Sequence, residues 1–191
     1  MIDKSREGLT LNKISHTLKV FLSKEATNAI LFVDKFGDIN FDFFKENGKK
    51  GIILDIDECV APHHGNILDE NMKIIKNIFE NGWKIVIYSN MKKTSRYEDL
   101  EKLGIKVITS KYAKPDERGF KECLENLSLD TKSTLMIGDN FLTDGGAIYA
   151  GIEFIKVKPI ETEEKNRKIA RQVQLLMREI IDKIANIRNN N

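Results

Sequence analysis

Two cysteines, Cys59 and Cys123, are all that this chain of 191 residues contains. With no C-x-x-C and no set of spaced pairs, neither a disulfide scaffold nor a structural zinc site is indicated, and free thiols are expected. Long apolar runs are missing too, since no uninterrupted stretch approaches the ~20 residues that a membrane span needs. Charge is nearly balanced at a net +2, which argues against a chain dominated by nucleic-acid binding. Met1 to Lys13 is polar and mixed in charge, without the basic-then-apolar order of a secretory signal, so a cytoplasmic protein is expected. No internal repeat is present, and the only low-complexity stretch is Asn189-Asn190-Asn191, read as a disordered tail.

What the chain does have is an ordinary globular composition, 41% hydrophobic and 31% charged, enough for one domain with a real core. Residues 1–50 show no sustained periodicity and are assigned as an N-terminal segment packing on that core. From Gly51 the punctuation becomes regular. Apolar strands are expected at Gly51–Leu54, Lys84–Tyr88, Lys106–Thr109, Thr134–Ile137 and Phe154–Val157, separated by helical patterns. One helix runs from about Asp69 to Asn81 with Met72, Ile75, Ile78 and Phe79 on one stripe and Gly82 closing it; a second ends at Gly104; a third carries Phe120, Cys123, Leu124 and Leu127. Alternation of this kind predicts an α/β fold of three layers, a mostly parallel sheet with helices on both faces, over residues 51–188.

Asp55 and Asp57 stand at the C-terminal end of the first of these strands. Side chains at i and i+2 of an extended backbone point the same way. Two carboxylates so close are tolerable at neutral pH only with a cation or a shared proton to compensate. Three more strand ends carry polar residues: Ser89-Asn90, Lys114-Pro115, and Gly138-Asp139 followed by Asp144. A parallel sheet opens all four ends onto one edge, where they supply a carboxylate nucleophile, a second carboxylate, a hydroxyl, a fixed cation and two further acids. Phosphoryl transfer requires that set.

In order and chemistry these four motifs resemble the haloacid dehalogenase (HAD) superfamily of magnesium-dependent phosphohydrolases. The resemblance implies that Asp55 attacks phosphorus and becomes an aspartyl phosphate, and that Asp57 acts first as acid and then as base. It implies that Mg2+ is held by Asp55, the backbone carbonyl of Asp57 and Asp139, with Asp144 ligating or orienting. Ser89 and the amide of Asn90 would hold phosphoryl oxygens while Lys114 offsets their charge. The intervals from Asp57 to Ser89 and from Asn90 to Lys114 leave no room for a cap domain. Such an open site suits a bulky substrate, or one enclosed by a partner subunit in a homo-oligomer.

Within the capless group the chain is similar to the subclass IIIA phosphatases that act on phosphatidylglycerophosphate. That likeness rests on the segment Gly51 to Asp57, on Ala113-Lys114-Pro115, on Gly138 to Asp144, and on a closing basic helix containing Arg171-Gln172-Val173. It implies a phosphomonoester substrate that is an anionic lipid, met at the inner face of a membrane. The family usually continues its D-x-D with Asn-Thr-Leu, where this chain has Glu58-Cys59-Val60. Cys59 replaces a hydroxyl with a weaker donor, and Glu58 adds a negative charge beside an anionic substrate unless it points to solvent or meets a second cation. No Cys-x5-Arg loop follows Cys59, which removes the cysteine-phosphatase reading. His63 and His64 fall in the loop leaving the nucleophile, at the expected site mouth.

The closing helix, from about Lys165 to Arg188, carries Ile169, Val173, Leu176, Met177, Ile180, Ile181, Ile184 and Ile187 at helical spacing, a stripe read as core or dimer packing. Its polar side is basic (Lys165, Arg167, Lys168, Arg171, Arg178, Lys183 and Arg188), which would favour an anionic membrane surface. Two other functions remain open on sequence alone. One is a capless phosphatase of a soluble sugar phosphate of the 3-deoxy-octulosonate 8-phosphate type; the other is a HAD-fold binding protein with weak catalysis.

Overall fold

A computed structural model of the chain describes residues 11–91, 95–161 and 169–189. Its strands are β1 (Leu31–Val33), β2 (Gly51–Leu54), β3 (Lys84–Tyr88), β4 (Lys106–Ile108), β5 (Thr134–Gly138) and β6 (Glu153–Val157), joined in one parallel sheet in the order β1-β6-β5-β2-β3-β4. The helices are α1 (Leu11–Leu22), α2 (Phe41–Glu46), α3 (Asp69–Glu80), α4 (Glu98–Lys102), α5 (Glu117–Leu127), α6 (Gly146–Tyr149) and α7 (Ile169–Asn189). Five strands fall within one residue of the sequence expectation at each end. The unassigned one is β1, a three-residue edge strand in register with β6, Leu31 opposite Ile155. So short a run is set by its neighbour and not by its own pattern, and it brings part of residues 1–50 into the sheet itself.

Alternation along buried strands builds two cores. Ile52, Leu54, Ile85, Ile87, Leu135 and Ile137 face Phe36, Phe41, Ile75, Ile78 and Trp83 on one side; Ile53, Val86, Tyr88, Met136 and Phe154 face Val20, Phe120, Cys123, Ile181 and Ala185 on the other. In β2, Ile52, Ile53 and Leu54 are wholly buried, each contributing on the order of 1.5–3 kcal/mol by leaving water. Helix α3 starts with Asp69 and Glu70 against its positive N-terminal end. It stops at Gly82, whose φ of 88° lies in the left-handed region.

Helix α7 departs from expectation. Ile181 is buried, but Val173, Leu176, Ile180 and Ile187 are 50%, 57%, 41% and 64% exposed. The inward face instead carries Arg178, Ile181 and Ala185. The reason lies in what α7 meets: at Arg178 its partners are the carboxylates of Glu58 and Asp139, and these choose the buried face. Arg188, near the other end, donates to the carbonyls of Val20, Phe21 and Ser23 at the C-terminus of α1, satisfying acceptors that a helix end leaves open. Of the basic residues of this helix that are described, Arg171, Arg178 and Arg188 therefore turn to partners within the protein, while Lys183 is exposed beside Glu179. Lys165, Arg167 and Lys168, the first ten residues of the polar N-terminus, and Asn190 and Asn191 lie outside the described residues.

Candidate active site

Because every strand runs the same way, β2, β3, β4 and β5 release their polar residues onto one edge of the sheet. Asp55 follows β2 directly, its N–H donating to the Ile137 carbonyl at 3.0 Å. Ser89 and Asn90 follow β3, Lys114 lies beyond β4, and Asp139 follows β5. Together with Asp57 these line one pocket, whose further walls include His63, His64, Met91, Leu142, Arg171, Leu175 and Arg178. Asp144 sits behind that wall, with no exposure. All seven residues expected at the site are thus brought together.

Lys114 is the hub. Its Nζ lies 2.7 Å from Asp55 Oδ1 and 2.7 Å from Asp144 Oδ1. Asn90 fixes its backbone, accepting the Lys114 N–H at Oδ1 (2.7 Å) and donating from Nδ2 to the Lys114 carbonyl (3.1 Å). The Lys114-Pro115 peptide is cis. Asp144 is a scaffold as well as a charge: its Oδ2 accepts from the N–H groups of Asp139 and Asn140, both at 3.1 Å. It tucks under the end of β5 because residue 138 is glycine, where a Cβ would collide with the Asp144 carboxylate. Ser89 Oγ accepts from the Met91 N–H at 3.1 Å and from the Tyr97 hydroxyl at 3.2 Å.

Three arginines at the site were not expected there. Arg96 donates from both terminal nitrogens to both oxygens of Asp57, at 2.8 and 2.7 Å. Arg178 donates from Nη1 to Asp139 Oδ2 at 2.6 Å and to Glu58 Oε2 at 2.9 Å, and Arg171 donates to the other oxygen of Glu58. Glu58 therefore meets two cations rather than solvent or a bare substrate anion. No motif announces Arg96. Arg178 left a faint signal, as an arginine one position from the apolar Met177 with an unexplained acid, Glu58, elsewhere in the chain.

Charge and burial set the protonation of this cluster. Burial, and after it the charge of Asp144, push the Asp55 carboxyl up to about 7 against the pull of Lys114. Burial pushes Asp139 well above the usual carboxylate range although Arg178 pulls it down. Lys114 is held above its ordinary value, since Asp144 and Asp55 outweigh the opposing effect of burial. Asp57 and Glu58 go the other way: partial burial raises both, but Arg96 beside the first, and Arg178 with Arg171 beside the second, hold them below their ordinary values. Burial lifts the Cys59 thiol well above its ordinary value, so it is a small apolar core residue and no nucleophile.

Among the described residues, the carboxyl groups of Asp55, Asp139, Asp144 and Glu58 are in direct contact with three cations, Lys114, Arg178 and Arg171, so full ionisation of all four would leave a negative surplus in a buried place. Oxygens of Asp55, Asp139 and Asp144 lie within 4.8 Å of one another. A hard divalent cation with oxygen ligands fits that donor set. A second group of the same span, Asp57 with His63 and His64, has its carboxylate already engaged by Arg96.

The family match accords with this arrangement. Residues 32–151 match the haloacid dehalogenase-like hydrolases, and the chain belongs to that family. It is 29% identical over 149 residues to the probable phosphatase YqeG of Bacillus subtilis (strain 168), covering 74% of this chain and 86% of that one. The family makes the chain a hydrolase of the haloacid dehalogenase type. Among solved structures, an uncharacterized protein from Listeria monocytogenes serotype 4b is 19% identical, with a TM-score of 0.47 over 68% of this chain and 99% of its own. The cobalt-bound deoxy-D-mannose-octulosonate 8-phosphate phosphatase from Haemophilus influenzae is also 19% identical, with a TM-score of 0.48 over 58% and 70%.

Proposed function

We propose that this chain is a magnesium-dependent phosphomonoester hydrolase that works through an aspartyl phosphate on Asp55, with a lipid phosphomonoester of the phosphatidylglycerophosphate kind as substrate. The observation that carries the chemistry is the buried Asp55-Lys114-Asp144 array with Asp139 beside it. Asp55 and Asp139, with the carbonyl of Asp57, would hold the ion, and Asp144 would orient. When bound, the ion would offset the mutual repulsion of carboxylate and phosphate.

The steps fall to the chain's own groups. An Asp55 oxygen attacks phosphorus as the bond to the leaving alkoxide breaks, and Asp57 delivers a proton to that oxygen. Lys114, Ser89 and the Asn90 N–H stabilise the charge spread over the phosphoryl oxygens. Water then attacks phosphorus, Asp57 takes its proton, and the bond to Asp55 breaks to release phosphate. Arg96 keeps Asp57 ionised in the resting protein, which is the form the second half needs; for the first half the Arg96 contact must lengthen and Asp57 take up a proton, from solvent or from the substrate's phosphate monoanion, which it then passes to the leaving oxygen.

Two observations support a lipid. Between Asp57 and Ser89 the chain holds only a loop, α3 and β3, so no inserted domain stands over the pocket there. Beside it, Leu175 and Met177 from α7 and Thr17 from α1 line the pocket, while the adjoining Leu176 and Leu18 are 57% and 56% exposed. Both helices that line the pocket thus also carry exposed apolar side chains, as a protein that meets a bilayer would need. Phosphate release from a panel of lipid and soluble phosphomonoesters, with and without magnesium, tests this reading. Faster turnover of soluble sugar phosphates than of the lipid would replace it.

A further inference from the structure

Glu58 is the residue that the active-site chemistry leaves without a role. It follows Asp57 directly, is 7% exposed, and has a φ of 62°, a left-handed conformation that costs a side-chain-bearing residue some strain. What holds it there is α7. Arg171 donates to one oxygen of Glu58 and Arg178 Nη1 to the other at 2.9 Å, and that same Nη1 lies 2.6 Å from Asp139 Oδ2. Arg178 is itself 8% exposed. A single guanidinium nitrogen therefore bridges a carboxylate of the proposed ion site and a carboxylate outside it.

That sharing has a consequence for any divalent ion at Asp139. Like charges held close in a buried place repel strongly, so a fixed guanidinium on Asp139 opposes the ion's arrival. The opposition falls if a second carboxylate keeps the guanidinium's charge compensated and draws it aside. Glu58 is placed to do that, contacting Arg178 through an oxygen that Arg171 does not use. Arg171, which touches Glu58 and for which no contact with Asp139 is seen, anchors Glu58 from its other side.

We propose that Arg178 and Glu58 are positioning residues that set the affinity of the divalent-ion site in opposite directions, Arg178 competing with the ion for Asp139 and Glu58 holding Arg178 away. The proposal rests on the reading of Asp55 and Asp139 as ion ligands. It explains why a glutamate stands beside two catalytic carboxylates: its charge is spent on α7 and not on the substrate. A merely structural role, in which the three residues only fasten α7 to the sheet, makes a different demand, since loosening either end should then affect the site alike.

Isothermal titration of magnesium chloride into the full chain, without substrate, separates the two. Arg178→Met should bind magnesium about tenfold more tightly than the wild type, and Glu58→Gln about tenfold more weakly, from the Coulombic size of such contacts. The double variant should lie close to Arg178→Met, because Glu58 acts through Arg178. Shifts of both single variants in the same direction, or changes within twofold, would overturn the proposal. Should Arg178→Met fail to fold, judged by its circular dichroism in EDTA, Glu58→Gln and Arg171→Met decide. Both break the same Glu58 contact, yet only the first should weaken magnesium, and equal weakening by the two would leave only the structural role. No magnesium binding by the wild type would overturn the ion site itself and this inference with it, whereas binding with shifts of the wrong sign overturns this inference alone.

Discussion

Arg96 grips Asp57 by both carboxylate oxygens, at 2.8 and 2.7 Å, from 39 positions further along the chain. Its Nη2 also donates to the Tyr97 hydroxyl at 2.6 Å, and that hydroxyl donates to Ser89 Oγ at 3.2 Å. One run of contacts therefore ties the proposed acid-base group to the proposed phosphate-binding serine. Bidentate pairing fixes an orientation as well as a charge. If it positions Asp57 for proton transfer, Arg96→Met should slow turnover about tenfold or more for an alkyl phosphate, the scale of losing part of an acid-base contribution. The loss should be much smaller for p-nitrophenyl phosphate, whose leaving group needs no proton. Equal losses on the two esters would mean that Arg96 acts on substrate binding and not through Asp57.

Asp55 should be indispensable. Asp55→Asn retains the size of the side chain but removes the nucleophile, and turnover should fall many thousandfold, to background. Beryllium fluoride, which mimics a phosphoryl group on an aspartate, should protect the wild type against thermal unfolding and leave the variant unmoved. Turnover surviving in Asp55→Asn would end the covalent mechanism.

Lys114 joins stability to chemistry. Asp55 and Asp144 share it as a buried counter-charge, so Lys114→Met leaves two carboxylates without it. Removing one partner of a buried ionic group costs about 3–5 kcal/mol, and urea unfolding at pH 8 without metal should show a loss of that order. At pH 5 the loss should shrink, because Asp55, pushed up to about 7, is then protonated. A loss independent of pH would place the cost in packing.

How much of this was legible in the sequence follows from how locally each feature is encoded. The five main strands are short runs of apolar residues between polar turns, and Asp55, Ser89, Lys114 and Asp139 stand at or just beyond their ends, so register alone carried them to one edge. The strand β1 was not legible, because Leu31-Phe32-Val33 pairs only with β6 and carries no period of its own. Arg96 and Arg178 were not legible because each acts on a carboxylate 39 positions away, and nothing within either segment names its partner. Helix α7 misled for the same reason: its regular apolar stripe outweighed two arginines whose inward orientation depends on Glu58 and Asp139.

The ion-free protein should lose stability as pH rises. Asp55 ionises in the unfolded chain near the ordinary aspartate value of 3.8 but in the folded chain at about 7. Between these values the unfolded state gives up its proton first, so each step upward in pH favours unfolding, and above about 7 the effect is complete. The total is on the order of a few kcal/mol. Asp57 and Glu58, with lowered pKa values, work the opposite way at more acid pH, so the comparison is the wild type against Asp55→Asn. In EDTA the melting temperature of the wild type should decline relative to that variant from pH 4.5 to 7.5, and magnesium should restore it by binding the folded form. A constant difference across that range would show that Asp55 keeps an ordinary pKa.

The last prediction concerns the lipid. An electrostatic attachment through α7 is poorly supported by its contacts: Arg171 and Arg178 turn to Glu58 and Asp139, Arg188 to carbonyls of α1, and Lys183 to Glu179 at 2.8 Å. Outward, α7 exposes Val173, Leu176, Ile180 and Ile187, and α1 adds Ile14, Leu18 and Leu22 at 41%, 56% and 82% exposure. Helices that bind a bilayer by burying such side chains hold on through the hydrophobic effect, which salt does not screen. The protein should therefore float with vesicles containing phosphatidylglycerol, with little loss as salt is raised through the range where exposed charges are screened within about 8 Å. Replacing Leu18, Leu176 and Ile180 by serine should release it from vesicles and lower hydrolysis of phosphatidylglycerophosphate. Turnover of p-nitrophenyl phosphate should be spared, since none of the three lines the pocket. Dimers that dissociate in the triple variant, with no vesicle binding by the wild type, would assign the same face to a second copy of the chain and favour a soluble substrate.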